Sequence, residues 1–398
     1  MLEEAIRSGD FLSALAGLGS GERLPTDLDK HTKKSIYTIL IEAKQFDILH
    51  LFAHYKIMET DIFEYDSFDY SFFDSLFNSQ NIDEEINVFF DVFIGHFTNV
   101  NDEINGDTLL SYAFTRGANS RNIQALINFD CDVNFRNNEN EDIVHQLIKA
   151  DYCRYRYTQE DYADLLSQHI TLLKNNGLQI DMPNAANETP LLSALRFRRT
   201  NLLPVLLENG ANPNHTDNTG NNAFYYAIIW NRDLEAYKRL SAYVQPELNE
   251  LNGLDWTVLF EYLAEVNFDS EEKTREIITQ LIADGADLYR VCKRYGEEKT
   301  PLEMAAGKSL YILSAILDTN TININAQDSN GNTLLHQVCA YPVNDDYDKA
   351  KETYRKVKLL LEKGADASIT NDMDQTALML ASDDNYKAKT VELLMKQS

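Results

Sequence analysis

The sequence contains few cysteines, and their spacing matches no common structural site. Cys131, Cys153, Cys292 and Cys339 lie far apart and include no Cys-x-x-Cys pair. This spacing argues against a disulfide framework and against a zinc site, and it favours a reducing compartment. We therefore expect no metal or other cofactor.

Positive charge is also scarce. Lys and Arg total 36 residues, whereas Asp and Glu total 63, which gives a net charge of −27. A surface this acidic repels the phosphates of nucleic acids and of anionic lipids. The composition therefore disfavours nucleic acid or a membrane surface as the partner.

Long apolar runs and catalytic signatures are missing as well. No stretch approaches 18 apolar residues, so we expect no membrane insertion. The first residues carry acidic side chains and lack the apolar core of a Sec signal peptide, which leaves open only export by another signal. The phosphate-binding loop, the dinucleotide fingerprint, His-Glu-x-x-His and Gly-x-Ser-x-Gly are all absent, which argues against the enzyme classes that use them.

The clearest pattern in the sequence lies in residues 331–368. It opens with Gly-Asn-Thr-Leu-Leu-His and closes with Leu-Leu-Leu-Glu-Lys-Gly-Ala-Asp. Thr333 can cap a helix, and Gly364 can end one where the backbone becomes left-handed. The threonine, or a residue that replaces it, recurs at steps of 34, 47, 33, 35, 43, 33 and 43 residues. These positions are Thr108, Asp142, Thr189, Asn222, Thr257, Thr300, Thr333 and Thr376.

These motifs resemble the ankyrin repeat, which has the signature Thr-Pro-Leu-His and a period of about 33 residues. The resemblance implies an all-α solenoid of helix-turn-helix units that recognises a protein through a concave groove, without catalysis. We expect about eight repeats in residues 101–398, the last one a cap. Residues 1–100 are predicted to hold a cap helix over 2–18 and degenerate ankyrin-like helical pairs, in one continuous, monomeric solenoid.

The irregular repeats, rich in Asn, Asp, Phe, Tyr and Ile, are similar to those of ankyrin-repeat effectors from intracellular bacteria. That similarity implies a protein that is secreted into the host cytoplasm, without a Sec signal, and binds a host protein. A loose resemblance of residues 24–28 and the helix after them to an F-box suggests an alternative, a ubiquitin-ligase adaptor acting through residues 22–60. A third hypothesis is an enzyme whose site is built from the insertions or the N-terminal region.

The longer steps locate three insertions, near residues 151–167, 265–273 and 341–354. The first is rich in tyrosine, and Arg154 and Arg156 alternate with its aromatic residues. Tyr and Arg provide binding area at low entropic cost, so Tyr155 and Tyr157 are predicted to bind a protein. The alternative is an extended helix pair with an exposed amphipathic face.

The resemblance also places the groove. In ankyrin repeats the exposed groove positions precede the motif threonine or follow it by five to eight residues. These positions predict a patch of exposed residues in which tryptophan and arginine act as binding hot spots. Its members are Arg196, Phe197, Ile229, Trp230 and Trp256. Trp230 could instead pack inward, but Ile229 and Trp230 are adjacent and cannot both do so.

Basic residues cluster beside this patch. Arg196, Arg198 and Arg199 follow one another closely in an otherwise acidic chain. We predict that Arg196 and Arg199 either bind an acidic peptide segment or pair with neighbouring carboxylates.

The histidines of the motif are interpreted as structural. His145 and His336 occupy the position at which ankyrin repeats use a histidine to brace the turn by hydrogen bonds to the backbone. Cys339 lies three residues after His336, but no third group that could orient a nucleophile accompanies this pair. We therefore expect no catalytic residue.

Overall fold

The computed structural model describes residues 2–79, 82–150, 158–266 and 270–397. The chain divides into two compact units, Met1–Asn212 and Pro213–Ser398. The predicted boundary near residue 100 falls inside the first unit and stays a prediction. Among the described residues, no helix combines the length and the apolar character needed to cross a bilayer.

The first unit is built from α-helices joined by short turns, with 3-10 turns at Ile62–Glu64, Ile94–His96 and Thr200–Leu202. Its described α-helices are α1 (Leu2–Ser8), α2 (Phe11–Gly19), α3 (Lys30–Glu42), α4 (Phe46–His54), α5 (Phe72–Phe77), α6 (Glu84–Phe93), α7 (Leu109–Thr115), α8 (Ser120–Asn128), α9 (Ile143–Lys149), α10 (Gln159–Asn175), α11 (Pro190–Arg196) and α12 (Leu203–Glu208).

The second unit continues the pattern of paired helices. It also contains a π-helical turn, Tyr226–Trp230, which directly follows α13, and a 3-10 turn at Asn385–Lys387. Its described elements are α13 (Ala223–Tyr225), α14 (Leu234–Ser241), α15 (Val258–Glu265), α16 (Glu271–Ala283), β1 (Cys292–Arg294), β2 (Glu297–Lys299), α17 (Pro301–Ala306), α18 (Leu310–Asp318), α19 (Leu334–Ala340), α20 (Tyr347–Glu362), α21 (Ala377–Ser382) and α22 (Ala388–Leu394).

The N-terminus differs from its prediction. Instead of one helix over residues 2–18, the chain forms α1 and α2. Gly9 lies between them with a φ of +78°, a left-handed conformation that glycine adopts without strain. The Asp10 side chain then accepts the backbone N–H of Ser13 and caps α2. The break therefore follows from a glycine and a capping aspartate within the apolar pattern.

The predicted repeat register is confirmed. Each of the eight recurring positions is the N-cap residue of a helix, namely α7, α9, α11, α13, α15, α17, α19 and α21. At Thr108 and Thr300, for example, the hydroxyl accepts the backbone N–H three residues later. These helices are called the first helices below, and the helix that follows each of them is called its second helix.

First and second helices form two layers. In the second unit, α15 packs against α17, α17 against α19 and α19 against α21. The second helices α16, α18, α20 and α22 pack against one another in the same order. In the first unit α7 packs against α9 and α9 against α11. The all-α ankyrin-repeat architecture is therefore present in both units.

The described parts of the insertions lengthen second helices. α10 has 17 residues and α20 has 16, whereas α18 has nine. In the second insertion, α16 has 13 residues. Part of the long step between Thr257 and Thr300 also comes from a hairpin of β1 and β2 that the sequence analysis missed. Its turn residues Tyr295 and Gly296 both have positive φ, as a two-residue hairpin requires.

Aromatic rings form the core of the N-terminal region. Phe73 is fully buried. Its ring centroid lies 4.6 to 6.5 Å from those of Phe72, Phe77, Phe90 and Phe97. Aromatic pairs at these distances stabilise a core beyond the effect of burial alone. Phenylalanine rings from α5, from α6 and from the residues after α6 thus pack together in this region.

Three lysines bind the carboxyl ends of first helices in the second unit. The ammonium of Lys308 donates to the carbonyl of Ala264 at 2.9 Å, and that of Lys356 donates to Ala306 at 3.0 Å. Lys387 donates to Cys339 at 2.8 Å. Helix carboxyl ends present unpaired carbonyls and partial negative charge, which these cations offset. Burial lowers the pKa of all three lysines.

Candidate protein-binding face

In the first unit, the ends of α9 and α11 carry matching ion pairs. Arg196 is the last residue of α11, and its Nη1 donates to Oε1 of the buried Glu188 at 2.6 Å. One repeat earlier, Lys149 ends α9 and pairs with the buried Glu141. Each acid directly precedes the N-cap residue of its own helix. Of the two alternatives for the arginine cluster, pairing with a carboxylate therefore holds for Arg196.

The residues after α11 combine an exposed aromatic ring with basic side chains. Phe197 is 44% exposed, and the Lys149 ammonium lies 5.7 Å from its ring centroid. This cation–π contact keeps a positive charge beside an accessible aromatic ring. Arg199 is half-buried where the next 3-10 turn begins, and its backbone N–H donates to the carbonyl of Ala194. The roles of Arg196, Phe197 and Arg199 in binding stay predictions.

A cavity of about 450 Å³ opens beside α7 and α9. Tyr112, Arg116, Gln146 and Lys149 contribute to its lining. The Gln146 side chain is buried, and neither atom of its amide has a hydrogen-bond partner within the described ranges. A buried amide without a partner costs free energy, and both polar atoms of this amide are shielded from solvent.

In the second unit, Trp230 is exposed and Ile229 is not. Trp230 ends the π-helical turn and is 53% exposed, with its ring 6.3 Å from that of Tyr226. Ile229 is only 8% exposed, so its predicted exposure in the groove is wrong. Consecutive helical residues point in different directions, and here the isoleucine turns to the core while the tryptophan turns to solvent.

A network of buried hydroxyls and carboxylates supports the turn that carries Trp230. The Tyr226 hydroxyl donates to Oδ2 of Asp217 at 2.7 Å, and the Tyr225 hydroxyl donates to Oε1 of Glu261 at 3.0 Å. Asn252 donates to the other oxygen of Glu261 at 2.9 Å. Satisfied buried networks of this kind hold side chains in one arrangement.

Trp256 lies on the loop before α15, next to the hairpin. It is half-buried, and its indole N–H donates to the carbonyl of Lys293 at 2.5 Å. The Arg294 guanidinium lies 6.0 Å from the Trp256 ring and 5.1 Å from the exposed Tyr295 ring. The missed hairpin therefore places a backbone carbonyl and the Arg294 guanidinium against a predicted binding residue.

We predict that Glu261→Gln raises the free energy of unfolding at pH 7. Burial raises the pKa of Glu261, so the folded state binds the proton more tightly than the unfolded state does. The contribution of Glu261 to the free energy of unfolding therefore falls as the pH rises from the ordinary glutamate pKa through the raised pKa of the folded state. A glutamine stays neutral, and its amide can accept from Asn252 and donate to the Tyr225 oxygen.

Urea denaturation at pH 7 and pH 5 checks this prediction. The gain from Glu261→Gln should shrink at pH 5, because protonation relieves the same penalty in the natural protein. Glu250→Gln is the control, since Glu250 is an exposed glutamate of the same unit. A loss of stability at pH 7 in Glu261→Gln alone would show that the carboxylate charge itself stabilises the network.

The structural interpretation of the histidines is confirmed. His145 contacts Oδ1 of its N-cap residue Asp142 at 2.7 Å and the backbone carbonyl of Glu188 at 2.9 Å. His336 similarly contacts Thr333 and the carbonyl of Gln375 at 3.0 Å. Both rings therefore join the helix start of one repeat to the backbone of the next.

The cysteines that the structure describes are buried as free thiols. Burial raises the pKa of Cys131 and of Cys339 to about 12. Because the thiolate is the reactive form, these thiols are poor nucleophiles at neutral pH. Cys153, Tyr155 and Tyr157 lie outside the described residues, so the prediction for the tyrosine-rich insertion stays a prediction.

The alternative functions also stay predictions. No group of three or more His, Cys, Asp and Glu among the described residues is arranged to hold a metal ion. In the segment compared with an F-box, α3 and α4 form a helical hairpin, Leu24 is half-buried and Pro25 is exposed. A cavity of about 310 Å³ lies beside Leu24 and Pro25.

Comparison with known proteins gives the following similarities. No family model matches the chain. The B-cell lymphoma 3 protein of Homo sapiens is 24% identical over 212 residues, which are 53% of this chain and 43% of that protein. The match therefore spans less than half of that relative.

Two solved structures are similar in fold. The ankyrin repeat domain of Bcl-3, described as a unique member of the IkappaB protein family, has 22% identity and a TM-score of 0.48 over 64% of this chain and 97% of that one. The human ASB11 ankyrin repeat domain has 16% identity and a TM-score of 0.40 over 65% and 99%. The eight capped first helices and the bracing histidines show by themselves that the chain has an ankyrin-repeat fold.

Proposed function

We propose that this protein is a non-catalytic scaffold that recognises another protein through its first helices and the loops before them. The observation that carries the proposal is Trp230, a large aromatic side chain that is exposed although the residues beneath it are fixed by a buried network. Rigid, exposed tryptophan provides binding area with little loss of entropy. π-helical turns such as Tyr226–Trp230 occur frequently at functional sites.

The first unit supplies a different kind of binding surface. Arg196 and Lys149 are held in place by buried carboxylates, next to the ring of Phe197. A partner with acidic side chains would meet two oriented cations and an apolar ring.

Capture from lysate with single-residue variants tests the proposal. We expect Trp230→Ala to reduce capture of the specific partner by at least about tenfold, because truncating a hot-spot residue costs about 2 kcal/mol or more. Arg196→Ala should reduce it less, since its charge is already paired. Quantitative mass spectrometry of the captured proteins measures both effects.

Each variant has a matched control away from the first helices. Tyr243 follows the second helix α14 and is 50% exposed, close to the value for Trp230. Arg121 lies on the second helix α8 and pairs with Asp91 at 2.6 Å, the distance of the Arg196 pair. Tyr243→Ala and Arg121→Ala should capture the same proteins as the natural chain. If Trp230→Ala and Arg196→Ala also did so, the proposed face would be wrong.

We further propose that the partner is a host-cell protein and that the chain is a secreted bacterial effector. The repeat composition supports this idea. The same capture experiment, run with animal-cell and bacterial lysates in parallel, tests it: a partner sensitive to Trp230→Ala should come from the animal-cell lysate. Finding that partner only in the bacterial lysate would contradict the effector role but leave the scaffold function intact.

A further inference from the structure

Two histidines of the first unit bring their ring nitrogens together on the surface. His50 lies on α4, and His96 ends the 3-10 turn that follows α6. Nδ1 of His50 and Nε2 of His96 are 2.9 Å apart. His50 is half-buried and His96 is exposed, so an ion can reach this point directly from solvent.

Aromatic packing fixes the orientation of both rings. The edge of His50 meets Phe89 at 5.4 Å and Phe93 at 5.3 Å between ring centroids. His96 meets Phe93 at 5.3 Å. Phe89 and Phe93 are buried and stack on each other at 4.7 Å. The imidazoles are therefore held near each other before any ligand arrives, which reduces the entropy lost on binding.

The distance between the nitrogens fits a particular coordination geometry. With metal–nitrogen bonds of about 2.05 Å, two ligands at a right angle lie about 2.9 Å apart, whereas two tetrahedral ligands lie about 3.3 Å apart. The observed 2.9 Å is the length of a hydrogen bond between the two rings, and it equals the separation of adjacent ligands of an octahedral or tetragonal ion. Nickel(II) and copper(II) prefer such geometries with nitrogen and oxygen ligands.

We propose that His50 and His96 form a binding site for a divalent late transition-metal ion of the nickel and copper class. Without metal, one imidazole donates its N–H to the other. On binding, that proton moves to the second nitrogen of the same ring, so both facing nitrogens offer lone pairs and no net proton is released. Water completes the coordination, since the described residues offer no further His, Cys, Asp or Glu as part of a group of three.

Titration of the full chain, without a histidine tag, tests this site. The probe is Ni²⁺ alone at pH 7.5, followed by isothermal titration calorimetry. We expect one ion per chain, with the affinity reduced at least tenfold in His50→Gln and in His96→Gln. His31→Gln is the control, because the exposed His31 packs against Tyr70 and takes no part in the pair; it should bind as the natural chain does.

Circular dichroism of each variant separates loss of the site from loss of the fold. If His50→Gln disturbs the packing around Phe89 and Phe93, the test rests on His96→Gln, because His96 is exposed. With Cu²⁺ as a second probe, the visible absorption band of nitrogen-ligated copper should appear in the natural chain and be lost in His96→Gln. Absence of binding to the natural chain, or equal Ni²⁺ affinity in His96→Gln, would overturn the proposal.

Discussion

Replacing Phe73 by alanine is expected to lower the free energy of unfolding by about 4 kcal/mol, the middle of the range for buried phenylalanine. The effect should be large because Phe73 is fully buried and its ring is surrounded by those of Phe72, Phe77, Phe90 and Phe97. Removing it leaves a cavity that these rigid rings fill only in part. Urea denaturation followed by circular dichroism measures the loss.

The same region contains a matched control. Phe63 lies in the 3-10 turn Ile62–Glu64 and is 73% exposed. Phe63→Ala should therefore change the free energy of unfolding by no more than about 0.5 kcal/mol. Equal effects of the two substitutions would contradict the aromatic core, and with it the view that the degenerate N-terminal pairs are a packed part of the first unit.

Acidification is expected to destabilise the protein through His169. This residue is fully buried on α10, with its ring edge-on to Phe114 at 4.9 Å. Burial lowers the pKa of His169 to about 4, although an interaction with the backbone of Ala118 opposes the shift. The folded state thus holds a neutral imidazole at a pH where the unfolded chain already binds a proton.

The sign and size of the effect follow from that difference. The contribution of His169 to the free energy of unfolding is present above the ordinary histidine pKa of about 6.5, and it is lost as the pH falls towards 4. Between pH 7 and pH 5 the contribution of His169 is a loss of about 2 kcal/mol, reaching about 3 kcal/mol near pH 4. Carboxylates add their own pH dependence, so the comparison between variants is what isolates the histidine.

His169→Leu supplies that comparison. The leucine variant should lose about 2 kcal/mol less than the natural chain between pH 7 and pH 5, as measured by urea denaturation at both values. His31→Gln, which removes an exposed imidazole, is the control. A pH dependence that is unchanged in His169→Leu would show that His169 binds its proton equally well in the folded and unfolded states.

The parts of the structure that the sequence predicts correctly depend on short-range chemistry. The eight N-cap positions were found from residue type and spacing, because a capping side chain binds a backbone N–H only three residues away. His145 and His336 were interpreted correctly for the same reason. The break at Gly9 could have been found too, since a glycine followed by aspartate both ends one helix and caps the next.

Other features depend on tertiary contacts that no local pattern contains. Ile229 and Trp230 are adjacent, and packing within the second unit buries the first and leaves the second exposed. The hairpin has weak strand signals, and it is fixed by the bond from Trp256 to Lys293. His50 and His96 are brought together by the packing of Phe89 and Phe93, across a separation of 46 residues in the chain.

The three lysines at the carboxyl ends of first helices all reach back towards the N-terminus of the chain. Lys308, Lys356 and Lys387 each bind a first helix that lies earlier in the chain than the lysine itself. A carbonyl at the carboxyl end of each of these first helices is thus bound by a lysine that follows the helix in the chain. Truncation from the C-terminal side removes Lys387 first and leaves the negative end of α19 uncompensated, whereas truncation before α15 removes none of these cations. Shortening the second unit from its C-terminal side therefore removes these contacts one after another, whereas shortening it from the other side as far as α15 keeps all three.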